Sequence, residues 1–244
     1  MNTIIFGLRA IIEAIKSGTN INKIYLQKGL RGHLFSELEP LIKQNRIASS
    51  FVPVEKLDRL SYNKNHQGAV AQISPVGFYD LEELIEQTHN KKKTPLFVVL
   101  DQVSDVRNFG AIARTAECAG VHTVLIPEQN SAALNADAVK TSSGALHKIP
   151  ICRTWNLKLS LQLIKNSGIQ IISCTEETQD ELYSADFNIP TAIILGSEED
   201  GISDEFLKMS NKRVKIPING KISSLNVSVA AGIITYEAVR QRNL

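Results

Sequence analysis

Six short apolar runs punctuate the C-terminal part of this 244-residue chain: PLFVVLD from Pro95, HTVLIP from His122, KIPICRT from Lys148, IQIISCT from Ile169, TAIILGS from Thr191 and RVKIPIN from Arg213. They are β-branched and aliphatic with little polar alternation, the pattern of strands buried on both faces. Helix-prone stretches near 109–119, 135–145, 156–167 and 203–210 separate them. Strands and helices in alternation predict a mostly parallel sheet covered by helices. A last helix is expected over about Val227–Arg242, where Ala230, Ala231 and Gly232 let another element approach closely.

The first 75 residues read as a separate, compact α/β module. Its expected elements are a helix over Leu8–Ser17 stopped by Gly18, a strand at Lys23–Leu26, a helix at about Leu34–Asn45, a strand near Phe51–Val54, a helix over Glu55–Leu60 and a strand over Ala69–Ser74. Residues 76–94 start acidic after a capping Asp80 and end at Lys91, Lys92 and Lys93, which reads as a linker with one helix. The expected domains are therefore 1–75 and 95–244. With 43% hydrophobic residues, the chain can bury one ordinary core and one smaller one.

Charge is divided unevenly between these parts. The first 75 residues hold ten Lys and Arg against five Asp and Glu, whereas residues 95–244 hold fourteen against sixteen. Positive potential concentrated at the N-terminus fits contact with an acidic polymer there. No run approaches the length of a membrane span, and the N-terminus lacks the cationic head and cleavage site of a signal peptide, so a cytoplasmic protein is expected. Cys118, Cys152 and Cys174 are odd in number and widely spaced, which suggests neither a disulfide framework nor a metal site.

Parallel α/β sheets bind ligands beyond the carboxyl ends of their strands, so the loops there should carry function. Three stand out: residues 101–120 with Asn108 and Arg114, the acidic turn LGSEEDGIS at 195–203 with Glu198, and residues 216–232 with Ser224, Leu225 and Asn226. Taken singly each has an ordinary explanation. Gly196 and Gly201 can serve a tight turn, Asn226 and Ser228 can cap a helix, and Arg114 can lie on a solvated helix face. The sequence has no GxGxxG after its first sheet strand, no P-loop and no GxSxG elbow, which disfavours a dehydrogenase, an NTPase and an α/β-hydrolase.

Together, in this order, the three loops resemble the signature motifs of the SpoU-TrmH (SPOUT) family of RNA ribose 2'-O-methyltransferases. The matching residues are Asn108-x-Gly110-x-x-x-Arg114-Thr115, Leu195-Gly196-Ser197-Glu198 through Gly201, and Ile216-Pro217 followed by Ser224 to Ala230. FGLRAIIEAIKSG near the start and HQGAVA at 66–71 resemble the substrate-binding domain of the RlmB-like branch, which acts on a guanosine of 23S ribosomal RNA. Val106 departs from the pattern, since the family commonly has proline there. The resemblance implies a trefoil-knotted catalytic domain, a smaller L30e-like RNA-binding domain, a homodimer and S-adenosyl-L-methionine as cofactor, with no metal. It implies that Thr175, Gly196, Ile216 and Leu225 contact the cofactor. It places Asn108, Arg114, Glu198, Ser224 and Asn226 in the catalytic cluster.

Two questions of role stay open in the sequence. A guanidinium keeps its proton in proteins, so Arg114 is expected to clamp phosphate and stabilise alkoxide charge while water or a neighbour accepts the proton. His66 serves either its own turn or an RNA surface with Arg9, Lys28, Arg31 and Lys64; Phe6, Tyr25 and Tyr62 either stack on bases or belong to the core. Rival functions are the same reaction on tRNA and a non-catalytic RNA-binding assembly factor on the same fold.

Overall fold

A computed structural model describes residues 4–243, which divide into two compact units, one reaching Gly77 and the other starting at Phe78. In the first unit the strands are β1 (Ile4–Phe6), β2 (Ile21–Gln27), β3 (Ser49–Val52) and β4 (Ala69–Ile73), with helices α1 (Leu8–Lys16), α2 (His33–Gln44) and α3 (Val54–Leu60). The sheet order is β1-β4-β2-β3, antiparallel except for β2 with β3. Ile11, Ile12 and Ile15 of α1 and Leu38 and Ile42 of α2 form the core with Ile24 and Leu26 on one face. On the other face, Leu57 of α3 meets Val52 and Val70 in a smaller cluster. The reading from sequence missed β1, whose three residues are too short to show a period. It also set the third strand two residues late, because Pro53 ends pairing at Val52 and Val54 already opens α3.

The segment read as a linker is part of the second unit's core. Asp80 accepts from the backbone amides of Glu82 and Glu83, which starts α4 (Leu81–Asn90), and Leu81, Leu84 and Ile85 are buried among residues of the large sheet. An amphipathic helix with three buried aliphatic residues packs rather than bridges.

The large sheet holds β5 (Leu96–Leu100), β6 (Thr123–Pro127), β7 (Ile151–Thr154), β8 (Gln170–Cys174), β9 (Thr191–Leu195) and β10 (Lys212–Val214). All its pairings are parallel and its order is β10-β8-β9-β5-β6-β7. The helices are α5 (Val106–Cys118), α6 (Ala136–Thr141), α7 (Leu157–Asn166), α8 (Asp204–Met209) and α9 (Val227–Arg242). All five residues of β5 and of β9 are buried, as expected for central strands. The last apolar run pairs only to Val214, and its Ile216-Pro217-Ile218 part leaves the sheet to line a cavity.

Arg242 anchors the end of α9, donating to the carbonyls of Thr94, Pro95, Phe187 and Ile189 at 2.8–3.1 Å. Near the other end of the unit, Gly110 of α5 lies so close to α6 that a Cβ there would sit 2.7 Å from Thr141 Cβ and 3.1 Å from the Ala138 carbonyl oxygen. Gly110→Ala is therefore expected to lower stability by about 1–3 kcal/mol in a urea melt, although alanine is the better helix former.

Candidate active site

The strand order reverses at β5: β6 and β7 follow on one side, while β9, β8 and β10 lie on the other. A crevice opens at the carboxyl ends of strands where connections diverge in this way. Here the loops after β5 and β9 and the segment leading into α9 come together.

Each loop is fixed by its own residues. Asp105 caps α5, its Oδ1 accepting from the amides of Arg107 (2.9 Å) and Asn108 (2.8 Å), so the helix starts three residues earlier than the sequence suggested and Asn108 lies in its first turn. Val106 is then the first helical residue, a position with no intrahelical amide bond to lose, so valine can stand where the family pattern commonly has proline. After β9, Ser197 and Gly201 exchange backbone hydrogen bonds of 3.0 and 3.1 Å. A Cβ on Gly196 would stand 2.0 Å from the Gly201 carbonyl, and Gly201 itself has φ +68°, so both glycines are demanded by the turn. Buried Asp101 accepts from the Ser203 amide at 2.8 Å, and Gln102 donates to the Ser203 hydroxyl at 3.1 Å, pinning this turn to the end of β5.

Glu198 projects from the turn to the start of α9. Its Oε1 accepts from Asn108 Nδ2 (3.1 Å), from Asn226 Nδ2 and from the Val227 amide (3.3 Å). Asn226 Nδ2 also donates to Asn108 Oδ1 at 3.0 Å, while Asn226 Oδ1 caps α9 by accepting from the Ser228 amide at 3.0 Å. A carboxylate at a helix N-terminus is favoured by the exposed amides and the helix dipole. Sequence reasoning grouped Asn108, Glu198 and Asn226 in one cluster, and in the structure these three are hydrogen-bonded to one another.

Two cavities flank Glu198. One of about 320 Å³ is lined by Thr175, Gly196, Ile216 and Leu225, together with Glu198 and Ser224. All four residues expected to hold a cofactor thus share one wall system. A second cavity, of about 440 Å³, lies between the β5 and β9 loops and includes Gln102, Asp105, Asn108 and Asn130; Ser197 to Asp200 and Val227 border both. Arg114 stands apart: it is exposed on α5, and its side chain makes no hydrogen bond or ion pair among the described residues. Six residues along a helix place it about 9 Å from Asn108 along the axis and about a third of a turn away. The resemblance put Asn108 and Arg114 in one catalytic cluster; helix geometry sets them on different sides of α5.

The chemistry of the first cavity is selective. Five carboxylates line it, Glu176, Glu177, Glu198, Glu199 and Asp200, without a lysine or arginine, while Ile216, Ile218 and Leu225 give apolar surface. Such a lining suits a ligand with a flat apolar part and net positive charge, and it repels a polyphosphate. S-adenosyl-L-methionine, with a sulfonium, an ammonium and an adenine ring, fits these residues. Cys174 also faces the cavity, and burial, with Glu176 nearby, pushes its thiol up to about 12; burial takes Cys152 to about 11. Both remain protonated near neutral pH and are poor nucleophiles. Among the described residues, no three or more His, Cys, Asp and Glu converge as a metal-binding group.

In the first unit the role of His66 is defined by its hydrogen bonds. His66 is 8% exposed; its Nδ1 accepts from the Gly68 amide at 3.0 Å, so Nε2 carries the proton and donates to Asp58 at 3.1 Å. It serves its turn. Phe6 and Tyr25 are half-buried at the edge of the smaller cluster, whereas Tyr62 is 77% exposed and so does not belong to the core. The carboxylates Glu176, Glu177, Glu199 and Asp200 and the clamp residues Asp101, Gln102 and Ser203 were missed as site residues. Only the Ser-Asp pair before α5 and the acidic run after Gly196 carried a readable signal.

Gly196→Ala is expected to give a folded protein with a displaced 197–201 turn, at least tenfold weaker cofactor binding by calorimetry and a lower melting temperature, because backbone rather than a flexible side chain blocks the new methyl group.

Comparison with known proteins agrees with this geometry. The family model described as SpoU rRNA Methylase family matches residues 95–236, and one described as RNA 2'-O ribose methyltransferase substrate binding matches residues 4–79. The protein YacO of Bacillus subtilis (strain 168), named for the TrmH family of tRNA/rRNA methyltransferases, is 33% identical over 239 residues, covering 98% of this chain and 96% of its own. Among solved structures, the A. aeolicus TrmH/SpoU tRNA modifying enzyme is 32% identical with a TM-score of 0.58, over 67% of this chain and 84% of its own. The SpoU methyltransferase AviRb from Streptomyces viridochromogenes, in complex with AdoMet, shares the fold at a TM-score of 0.63 and 23% identity, over 99% of this chain and 91% of its own. With a family model spanning the sheet and site just described, and a relative alike over nearly its full length, the chain belongs to the SpoU rRNA Methylase family.

Proposed function

We propose that this protein transfers a methyl group from S-adenosyl-L-methionine to the ribose 2'-hydroxyl of a guanosine in large-subunit (23S) ribosomal RNA. RNA 2'-O-methyltransferase activity is the coarser statement that family membership supports. The observation that carries the reading is the acidic, partly apolar cavity whose wall contains the Glu198–Asn108–Asn226 cluster. The N-terminal unit matches a model for RNA 2'-O ribose methyltransferase substrate binding, which supports an RNA substrate; the ribosomal choice rests on the resemblance of FGLRAIIEAIKSG and HQGAVA to the RlmB-like branch. The tRNA alternative is kept alive by the A. aeolicus neighbour, named as a tRNA modifying enzyme, and by relatives named for both RNAs.

When bound, the cofactor supplies an already activated methyl group, which leaves alignment and proton removal to the protein. Thr175, Gly196, Ile216 and Leu225 would hold it, with Gly196 and Ile216 offering backbone close to the ligand. Glu198, Asn108 and Asn226 would keep the rim of the cavity rigid, and Ser224 would meet the ribose. Holding the attacking hydroxyl near the methyl group is worth several kcal/mol through orientation alone. Arg114 would clamp a phosphate of the RNA with its planar guanidinium and stabilise the developing alkoxide, while water or a neighbouring group accepts the hydroxyl proton.

A homodimer suits this arrangement. Val229, Ile233 and Tyr236 form an exposed stripe at helical spacing along α9, each at least 36% exposed. Stripes of this kind mark a protein contact, and α9 packs on α5, the helix that carries Arg114. Dimerisation across α9 would bring the otherwise isolated Arg114 to the edge of a shared site. No described helix is long and apolar enough to cross a membrane.

The direct test is transfer of labelled methyl from S-adenosyl-L-methionine to unmodified large-subunit rRNA, with unmodified tRNA in parallel and the product nucleoside identified. Label recovered as 2'-O-methylguanosine in rRNA is expected; label confined to tRNA would overturn the substrate, and label in neither would overturn the reading. Arg114→Lys is expected to lose roughly 100-fold in activity at every pH, because lysine cannot supply a bidentate clamp. Substantial activity that rises with pH would instead make this position a base.

A further inference from the structure

The four-stranded sheet of the first unit is covered unequally. One face is packed beneath α1 and α2, while the other carries only the short α3 and the small cluster around Leu57. On that second face Phe6, Val70 and Tyr25 stand in direct register on β1, β4 and β2, forming one row across three strands. Val70 is buried, and the two rings flanking it are half-exposed.

Three lysines converge on this row. The ammonium groups of Lys23 and Lys56 lie 5.5 and 5.1 Å from the centre of the Tyr25 ring, and that of Lys64 lies 5.8 Å from the Phe6 ring. Among the described residues none of the three is paired with a carboxylate, and Asp58 of α3 is already engaged by His66. Cation–π contact at an exposed site is weak, so these ammonium groups can exchange a ring for a phosphate oxygen at little cost. The patch is complementary to a polyanion that also presents flat apolar faces.

We propose that this half-open sheet face binds single-stranded RNA, with phosphates at Lys23, Lys56 and Lys64 and bases stacked on Tyr25 and Phe6. The ammonium groups leave the rings for phosphate oxygens as bases take their place. A duplex hides the base faces that the rings need, so it binds this face less well. The assignment rests on the RNA-directed function proposed above and adds where on the first unit the strand lies.

The test uses the full chain, a fluorescently labelled oligoadenylate, and an RNA duplex of equal length, read by anisotropy across a salt series. Wild type is expected to prefer the single strand. The combined variant Lys23→Gln, Lys56→Gln, Lys64→Gln should lose about tenfold or more in affinity, and its slope of log affinity against log salt should be shallower by about 2, since three phosphate contacts are removed. Tyr25→Leu should lose on the order of tenfold with the slope unchanged. Cofactor affinity, measured by calorimetry, should match wild type in both, and so should the circular dichroism spectrum and the thermal melt, which together show that both units are folded. If the triple variant, folded by that criterion, keeps wild-type affinity and slope, or if wild type does not bind oligoadenylate, the proposal is overturned. Oligoadenylate binding through this face without methyl transfer to any RNA would instead defeat the enzymatic reading alone.

Discussion

One carboxylate oxygen holds the candidate site together. Oε1 of Glu198 accepts from Asn108 at the start of α5, from Asn226 at the cap of α9 and from the Val227 amide. Three segments, some ninety residues apart along the chain in one case, are thereby fixed at the point where the strand order of the parallel sheet reverses. Charge-assisted hydrogen bonds of this kind are stronger than neutral ones, and the α9 N-terminus adds its own attraction for the anion. The two glycines of the 197–201 turn and the Asp101–Ser203 contact act on the same geometry, because they set where the Glu198 side chain begins.

This arrangement divides the site's surfaces by chemistry. On one side of Glu198 lies a cavity lined by five acidic residues and by no lysine or arginine; on the other, a polar crevice contains Asn108, Asp105 and Asn130. Basic groups are kept away from the first cavity and appear elsewhere, as exposed Arg114 on α5 and as the lysines of the first unit. A fold that must bring together a cationic cofactor and a polyanionic substrate gains from such separation, since each ligand then meets complementary potential at its own surface.

Much of this was legible in the sequence for definite reasons. The uniform apolar runs gave the parallel strands, and Asn108, Glu198 and Asn226 were marked by motifs in loops that follow strands. Helix α5 began early because Asp105, a capping residue, preceded the apolar periodicity used to find it. The stretch before residue 95 was mistaken for a linker because its charged face dominates composition, although Leu81, Leu84 and Ile85 are spaced to bury one side. The isolation of Arg114 was hidden by proximity in sequence: six residues on a helix point to different sides. The row of Phe6, Val70 and Tyr25 was invisible too, because strand register is a long-range property that no local pattern in residues 1–75 encodes.

The account turns on the charge selectivity of the cavity beside Glu198. Calorimetric titration of the wild-type chain with S-adenosyl-L-methionine, and separately with ATP, which shares the adenosine part but carries phosphates, measures it directly. Saturable binding of S-adenosyl-L-methionine with none of ATP is the result the acidic lining predicts. Binding of ATP with equal or greater affinity, or no binding of S-adenosyl-L-methionine by the folded protein, would contradict it.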